Sequence, residues 1–211
     1  MDLFALPVLL FSVVVHEVAH AWQARREGDT TAEQLGRITL NPVKHLDPIG
    51  SVAMPLMLYF AHSPVMFGYA KPVPVDPRNY RNPRAGDIRV SLAGIVSNLI
   101  LAVLFTLATA VCWKLDLRGG MSALTRMFED GIFINLLLAV FNLIPIPPLD
   151  GSHVLYQLLP EGLRDGYRRV APFGFLIVLS LLFLFRGVLD VLLTPVYVLN
   201  NAAYWFIRLW I

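Results

Sequence analysis

An all-α polytopic membrane protein is the fold class this sequence predicts. It would have about five to six membrane segments, one of them short and broken enough to be re-entrant, and a short extended or β edge segment. Three observations carry that expectation. Of 211 residues, 56% are hydrophobic and only 15% are charged, with a mean hydropathy of +0.62, whereas soluble domains carry about 25% charge. Apolar stretches approaching or exceeding the roughly 20 residues of a bilayer span recur along the chain. Between them lie proline-dense strips that no helix accommodates. One domain over residues 1–211 accounts for the length, with a core at 1–155 and C-terminal membrane segments at 170–211. The net charge of +2 points away from nucleic acid, and the lone Cys112 excludes an internal disulfide and a thiolate zinc site.

The first helix is expected from about Asp2 to Arg25. Asp2 stands where a signal peptide would be basic, and no small-residue cleavage pattern follows, so the segment reads as a retained helix. From Leu3 to Ala24 the only charge is Glu17, and the only other polar groups are Ser12, His16, His20, Trp22 and Gln23. At the middle stands His16-Glu17-Val18-Ala19-His20. Positions i and i+4 share a helix face, so both imidazoles can reach one metal ion, with Glu17 beside a metal-activated water as general base. The bland alternative is an apolar helix with two incidental histidines. Ionisable groups at bilayer depth are costly, however, and mark functional sites.

Residues 25–47 form a polar connection in which His45 and Asp47, next to Pro42 and Pro48, read as turn formers rather than ligands. Ile49 to Phe67 is apolar but broken by Pro55, His62 and Pro64, so it either spans or dips in and returns, with His62 at the interface. Gly68 to Pro77 holds Pro72, Pro74 and Pro77 and suits an extended edge with free backbone groups. The basic loop Arg78 to Arg84 faces lipid headgroups and lacks the extent of a nucleic-acid surface. Ile88 to Trp113 is a spanning helix in which Ala93-Gly94 and Ser97-Asn98 mark a close packing face with interhelical hydrogen bonds. Lys114 to Asp130 reads as a polar loop, and Gly131 to Ile144 as a span stopped by Pro145. Pro145, Pro147 and Pro148 then stiffen a strip that ends at Asp150-Gly151. Asp150 can supply the third protein ligand that a two-histidine site lacks, or it can be a plain Asp-Gly turn. A short helix from His153 to Pro160, a polar stretch Glu161 to Arg169, and apolar segments Ala171 to Phe185 and Val188 to Trp210 complete the chain, the last interrupted by Asp190, Pro195 and Asn200-Asn201.

Charge placement tests whether these residues share a depth. With the N-terminus outside and residues 49–67 re-entrant, inner loops 25–48, 68–89 and 147–169 carry four, five and three of the seventeen basic residues, and outer loop 113–130 carries three. Cytoplasmic loops collect Lys and Arg, which supports this orientation. His20 is then roughly 7–8 Å along the helix from the inner end at Arg25. Asp150 follows an inward-going span and lands on the same side, with Asn142 at similar depth.

Taken with Asn41-Pro42 to Gly50, Gly68 to Pro77 and Ala93-Gly94 to Asn98, the pairing of His16-Glu17-Val18-Ala19-His20 with Asn142-Leu143-Ile144-Pro145 to Leu149-Asp150-Gly151 resembles the site-2 protease family of intramembrane zinc metalloproteases, in its minimal form without PDZ or CBS domains. The resemblance runs to about Leu155. It implies that His16, His20 and Asp150 bind one Zn2+, that Glu17 activates the water, and that Asn142 helps hold the substrate carbonyl or developing oxyanion. It also implies that Gly68 to Pro77 is a substrate edge, with Gly68, Ala70, Lys71 and Val73 binding an unwound substrate by strand addition. Ile95, Tyr69 and Ser152-His153 depart from the family's usual proline, tryptophan and Gly-Arg. His153 can hydrogen-bond near Asp150 or compete as a ligand.

The expected activity is therefore an intramembrane zinc endopeptidase acting on membrane-embedded protein or peptide substrates. Its setting would be the cell membrane of a prokaryote, with the site towards the cytoplasm. A metal transporter or sensor would use the same His/His/Asp set without needing Glu17 as a base. An inactive scaffold would need none of these residues.

Overall fold

The computed structural model describes residues 5–60, 71–115 and 122–210. Among them every regular element is helical. The elements are α1 (Ala5–Glu27), α2 (Thr31–Gln34), α3 (Met54–Phe60), α4 (Pro83–Lys114), α5 (Ser122–Leu143), α6 (Asp150–Leu158), α7 (Glu161–Val170), α8 (Gly174–Phe183), α9 (Arg186–Leu192) and α10 (Thr194–Leu209). Short 3₁₀ turns at Pro42–His45, Pro77–Asn79 and Ala171–Phe173, and a π turn at Pro48–Ala53, join them.

Helices α1, α4 and α5 form the frame. The buried stripe of α1 includes Val8, Ser12 and His16, spaced by fours along one face. Ala5 and Val8 of α1 pack on Ile134 of α5, and Ala102 and Ala110 of α4 pack on Ile132 and Leu136 of α5. Val196 and Ile207 of α10 close that second cluster from outside. Asn82 caps α4 by accepting from the Ala85 amide at 3.1 Å, and Pro83 occupies the first turn, where its missing N–H costs nothing. Val96, Ile100, Val103, Leu107 and Val111 recur at three- and four-residue steps on the outer face of α4 and stay exposed. That is the pattern of a helix whose outer face meets lipid rather than water.

Among the described residues, three helical runs are long and apolar enough to cross a membrane: Ala5–Glu27, Pro83–Lys114 and Glu161–Phe183. Helix α5 begins at Ser122, inside the stretch expected to be a polar loop. Trp113 Nε1 donates to Glu129 at 2.9 Å, so one of its early charges is partnered by α4 instead of solvated in a connection. The last segment does break near Pro195: α9 ends at Leu192, α10 begins at Thr194, and Pro195 occupies the first turn of α10.

The expected edge segment is where structure and sequence part most. Residues 71–76 form no strand. A strand needs a neighbour to pair with, and here the backbone groups go to separate partners. Lys71 N–H donates to the His45 carbonyl at 2.9 Å, Val73 N–H to Glu17 Oε2 at 2.7 Å, and Asp76 N–H to Asp29 Oδ2 at 2.7 Å. The Arg37 guanidinium caps the Lys71 carbonyl at 2.8 Å. The result is an irregular strip pinned at several points against α1 and its following loop. Gly68 and Ala70 lie outside the described residues, as do His62, Pro64 and the end of the candidate re-entrant segment. Just before that segment, Asp47 accepts from the amides of Ile49 and Gly50 at 2.9 and 2.7 Å, and His45 Nε2 meets the Thr39 carbonyl at 2.9 Å. Both side chains organise turns.

Candidate metal centre

His16 and His20 project from the fourth and fifth turns of α1 towards α4, and Asp150 opens α6 after the proline strip. The histidine Nε2 atoms lie 3.0 Å apart, and Asp150 Oδ2 lies 3.2 Å from that of His16 and 3.3 Å from that of His20. The three ligand atoms form a group able to hold one metal ion, some 130 residues of chain apart.

The hydrogen bonds behind the rings say which protons are present. His16 Nδ1 sits 2.6 Å from Asn98 Oδ1, and His20 Nδ1 sits 2.7 Å from the Val90 carbonyl. Both partners are acceptors, so both Nδ1 atoms carry the proton and donate. Each Nε2 is then left with a lone pair, and those lone pairs face each other and Asp150 Oδ2. That oxygen is buried with no hydrogen-bond partner. Three electron pairs converging at about 3 Å call for a cation between them. Donors 2.0–2.1 Å from a tetrahedral zinc stand roughly 3.3 Å apart, close to the separations seen, so the donor set and its spacing fit that ion.

Backbone packing makes the convergence possible. A Cβ at position 94 would lie 2.5 Å from His16 Cε1 and from His20 Nε2, so only glycine lets α4 pass the two rings. A Cβ at position 151 would lie 2.2 Å from the Leu143 carbonyl oxygen, so glycine there lets α6 start hard against the end of α5. Asp150 is aimed by that contact.

The other expected site residues fall as follows. Glu17 is half-buried beside His16 and accepts from the Val73 amide, which couples the general-base candidate to the strip. Lys71 and Val73 lie on that strip, their amides turned inward to His45 and Glu17. Asn142 sits on the last turn of α5, where its Nδ2 donates to the Leu138 carbonyl at 3.0 Å. His153 lies one turn beyond Asp150 on α6, with Nδ1 3.7 Å from Asp87 Oδ1. Asp87 also accepts from Gln157 Nε2 at 2.8 Å. The neighbouring Asp87 carboxylate holds the His153 imidazole above its ordinary value of 6.5, against a smaller opposing effect of burial. Sequence reasoning marked Asn98 as a packing residue and did not find its bond to His16. It did not single out Asn135, which accepts from Asn98 Nδ2 at 2.8 Å. An asparagine in the apolar run of α5 was the available signal.

The chain matches the family model of Peptidase family M50 over residues 4–128 and 117–185. It belongs to peptidase family M50. Relatives named as zinc metalloproteases agree. YwhC of Bacillus subtilis (strain 168) is 41% identical over 176 residues, covering 82% of this chain and 77% of that protein. Rip2 of Mycolicibacterium smegmatis is 33% identical over 177 residues, covering 82% of this chain and 64% of its own length. Rip2 of Mycobacterium tuberculosis (strain H37Rv) is 34% identical over 186 residues, with 83% and 64% covered. This chain thus spans less than two thirds of the mycobacterial relatives. No solved structure matches it. This M50 peptidase is a zinc-dependent hydrolase of peptide bonds and an integral membrane protein.

Proposed function

We propose that this M50 peptidase is an intramembrane endopeptidase that cuts the membrane segments of anchored proteins or peptides. His16, His20 and Asp150 hold its zinc, and Glu17 serves as general base. The observation that carries the reading is the set of three lone pairs converging inside a bundle of apolar helices, with a carboxylate next in sequence to the first histidine. When bound there, zinc lowers the pKa of water to about 7 and polarises the scissile carbonyl. Glu17 accepts the water's proton and returns it to the leaving amine. Asn142 turns its amide from the Leu138 carbonyl towards the developing oxyanion. Lys71 and Val73 belong to the strip along which an unwound substrate lies, next to Glu17.

The chain enters or crosses the bilayer five to six times, through α1, the segment that includes α3, α4, α5, α8 and the α9–α10 pair. The basic loops face the cytoplasm of a prokaryotic cell. His20 and Asp150 then lie near the cytoplasmic side, where water reaches the site without crossing the bilayer.

A Glu17→Gln variant tests the reading. Purified with zinc and offered a membrane-embedded peptide in liposomes, it should keep stoichiometric metal and lose at least about 100-fold in cleavage rate. Quantitative proteomics of membrane fragments, wild type against variant, should then show substrate stubs accumulating. Metal transport that continues unchanged in the variant, with no cleavage by wild type, would establish the transporter reading instead.

A further inference from the structure

Behind the metal-facing histidines runs a line of buried amides that the chemistry above leaves unused. Asn98 on α4, Asn135 on α5 and Ser12 on α1 are all fully buried. Asn98 Oδ1 faces His16 Nδ1 at 2.6 Å, and Asn98 Nδ2 donates to Asn135 Oδ1 at 2.8 Å. Asn135 Nδ2 donates to both Ser12 Oγ and the Gly131 carbonyl at 2.8 Å.

The direction of this line is set at its far end. A main-chain carbonyl only accepts, so the Gly131 oxygen demands the NH₂ end of Asn135. Asn135 Oδ1 is therefore turned to Asn98, which must answer with its own NH₂. That leaves Asn98 Oδ1 towards His16, which must donate from Nδ1. The tautomer of a metal-facing histidine is thus dictated through two intervening side chains. Without the carboxamide at position 135, Asn98 is free to rotate by half a turn. Its NH₂ would then favour a His16 lone pair on Nδ1 and a proton on Nε2, aimed into the space where the three ligand atoms meet.

We propose that Asn135, which touches none of those three atoms, is a positioning residue for the metal centre: through Asn98 it holds His16 with its Nε2 lone pair facing His20 and Asp150. This rests on the reading of His16, His20 and Asp150 as the zinc ligands. His20 needs no such device, because the Val90 main-chain carbonyl orients it directly.

The test uses the full chain in detergent micelles, with zinc affinity measured by chelator competition and the His16 tautomer read from ¹⁵N-histidine NMR of the metal-free protein. Asn135→Leu should bind zinc roughly 10- to 100-fold more weakly than wild type, the range usual for partners behind metal ligands. Its His16 signal should show both tautomers. Asn98→Asp places an acceptor-only group against His16, so the double variant Asn98→Asp/Asn135→Leu should recover wild-type affinity. A packing defect at position 135 would not be rescued that way. Should Asn135→Leu fail to fold, Asn135→Ala decides by the same readings: weaker zinc, both His16 tautomers, and recovery in Asn98→Asp/Asn135→Ala. Undiminished affinity with a single tautomer in Asn135→Leu overturns the proposal, as does a double variant no tighter than Asn135→Leu. Wild-type zinc that His20→Ala does not displace would instead sink the ligand assignment beneath it.

Discussion

His16 and His20 share a face of α1 but are held from behind by different kinds of group, a side chain for one and a main-chain carbonyl for the other. Space in front of them is controlled by Gly94. Gly94→Ala drives a methyl against both rings, and overpacking of this sort costs about 1–3 kcal/mol. Zinc affinity, measured by chelator competition, should fall about tenfold or more. His153 makes the opposite case. Its pairing with Asp87 settles its structural place as a neighbour of α4, outside the three-atom group. His153→Ala should keep wild-type zinc content by metal analysis of the purified protein. Because His153 is raised above 6.5, the stability it lends is fully present below that pH and fades as pH rises through the raised value. At this scale the sequence was most legible where geometry is local. The four-residue spacing of His16 and His20 needs only helix periodicity, whereas charge bias and proline punctuation gave Asp150 only a shared depth, and its ligand role came from the family resemblance. The bond from Asn98 to His16 spans 82 residues, and no spacing rule links them.

Among elements, the strip at residues 71–76 behaves least as its composition suggested. Alternating prolines pointed to an edge strand, yet the amides of Lys71, Val73 and Asp76 go to His45, Glu17 and Asp29. Proline spacing reveals which N–H groups are missing, not where the remaining ones go. Val73→Pro removes the amide that holds Glu17. Zinc content should be unchanged, while kcat falls up to about 100-fold, the scale of a misplaced catalytic group. Asp29 anchors the other end. It is fully buried and accepts from Thr31 N and Oγ1, Asp76 N and Asn79 Nδ2. Burial opposes its ionisation, and those bonds outweigh burial and hold the carboxyl below its ordinary 3.8. Asp29→Asn should cost about 3 kcal/mol at neutral pH. The contribution is complete above about pH 4 and lost as pH falls through the depressed value, so denaturation midpoints of variant and wild type should converge in acid. Helix α5 was misjudged at its start for a related reason. Arg126, Glu129 and Asp130 read as a solvated loop, and the Trp113 bond that places Glu129 against α4 is tertiary.

For the whole molecule, the frame of α1, α4 and α5 was legible as apolar periodicity, while its pairing depended on small residues and buried amides that hydropathy does not weigh. Zinc acts on that frame as a ligand of the folded state. At a free concentration 100 times its dissociation constant it should add about 2.7 kcal/mol, so chelation should lower the thermal midpoint and restored zinc should return it. The size of that effect has a topological side. His20 belongs to α1 and Asp150 to α6, so an ion shared between them closes a loop of about 130 residues. A covalent cross-link over that length removes on the order of 5 kcal/mol of chain entropy from the unfolded state. On the proposed ligand set, the catalytic ion would thereby also be a removable staple between the two ends of the core. Zinc starvation should then do more than stop cleavage: with the staple gone, α6 and the helices after it become the first part of the chain exposed to proteolysis.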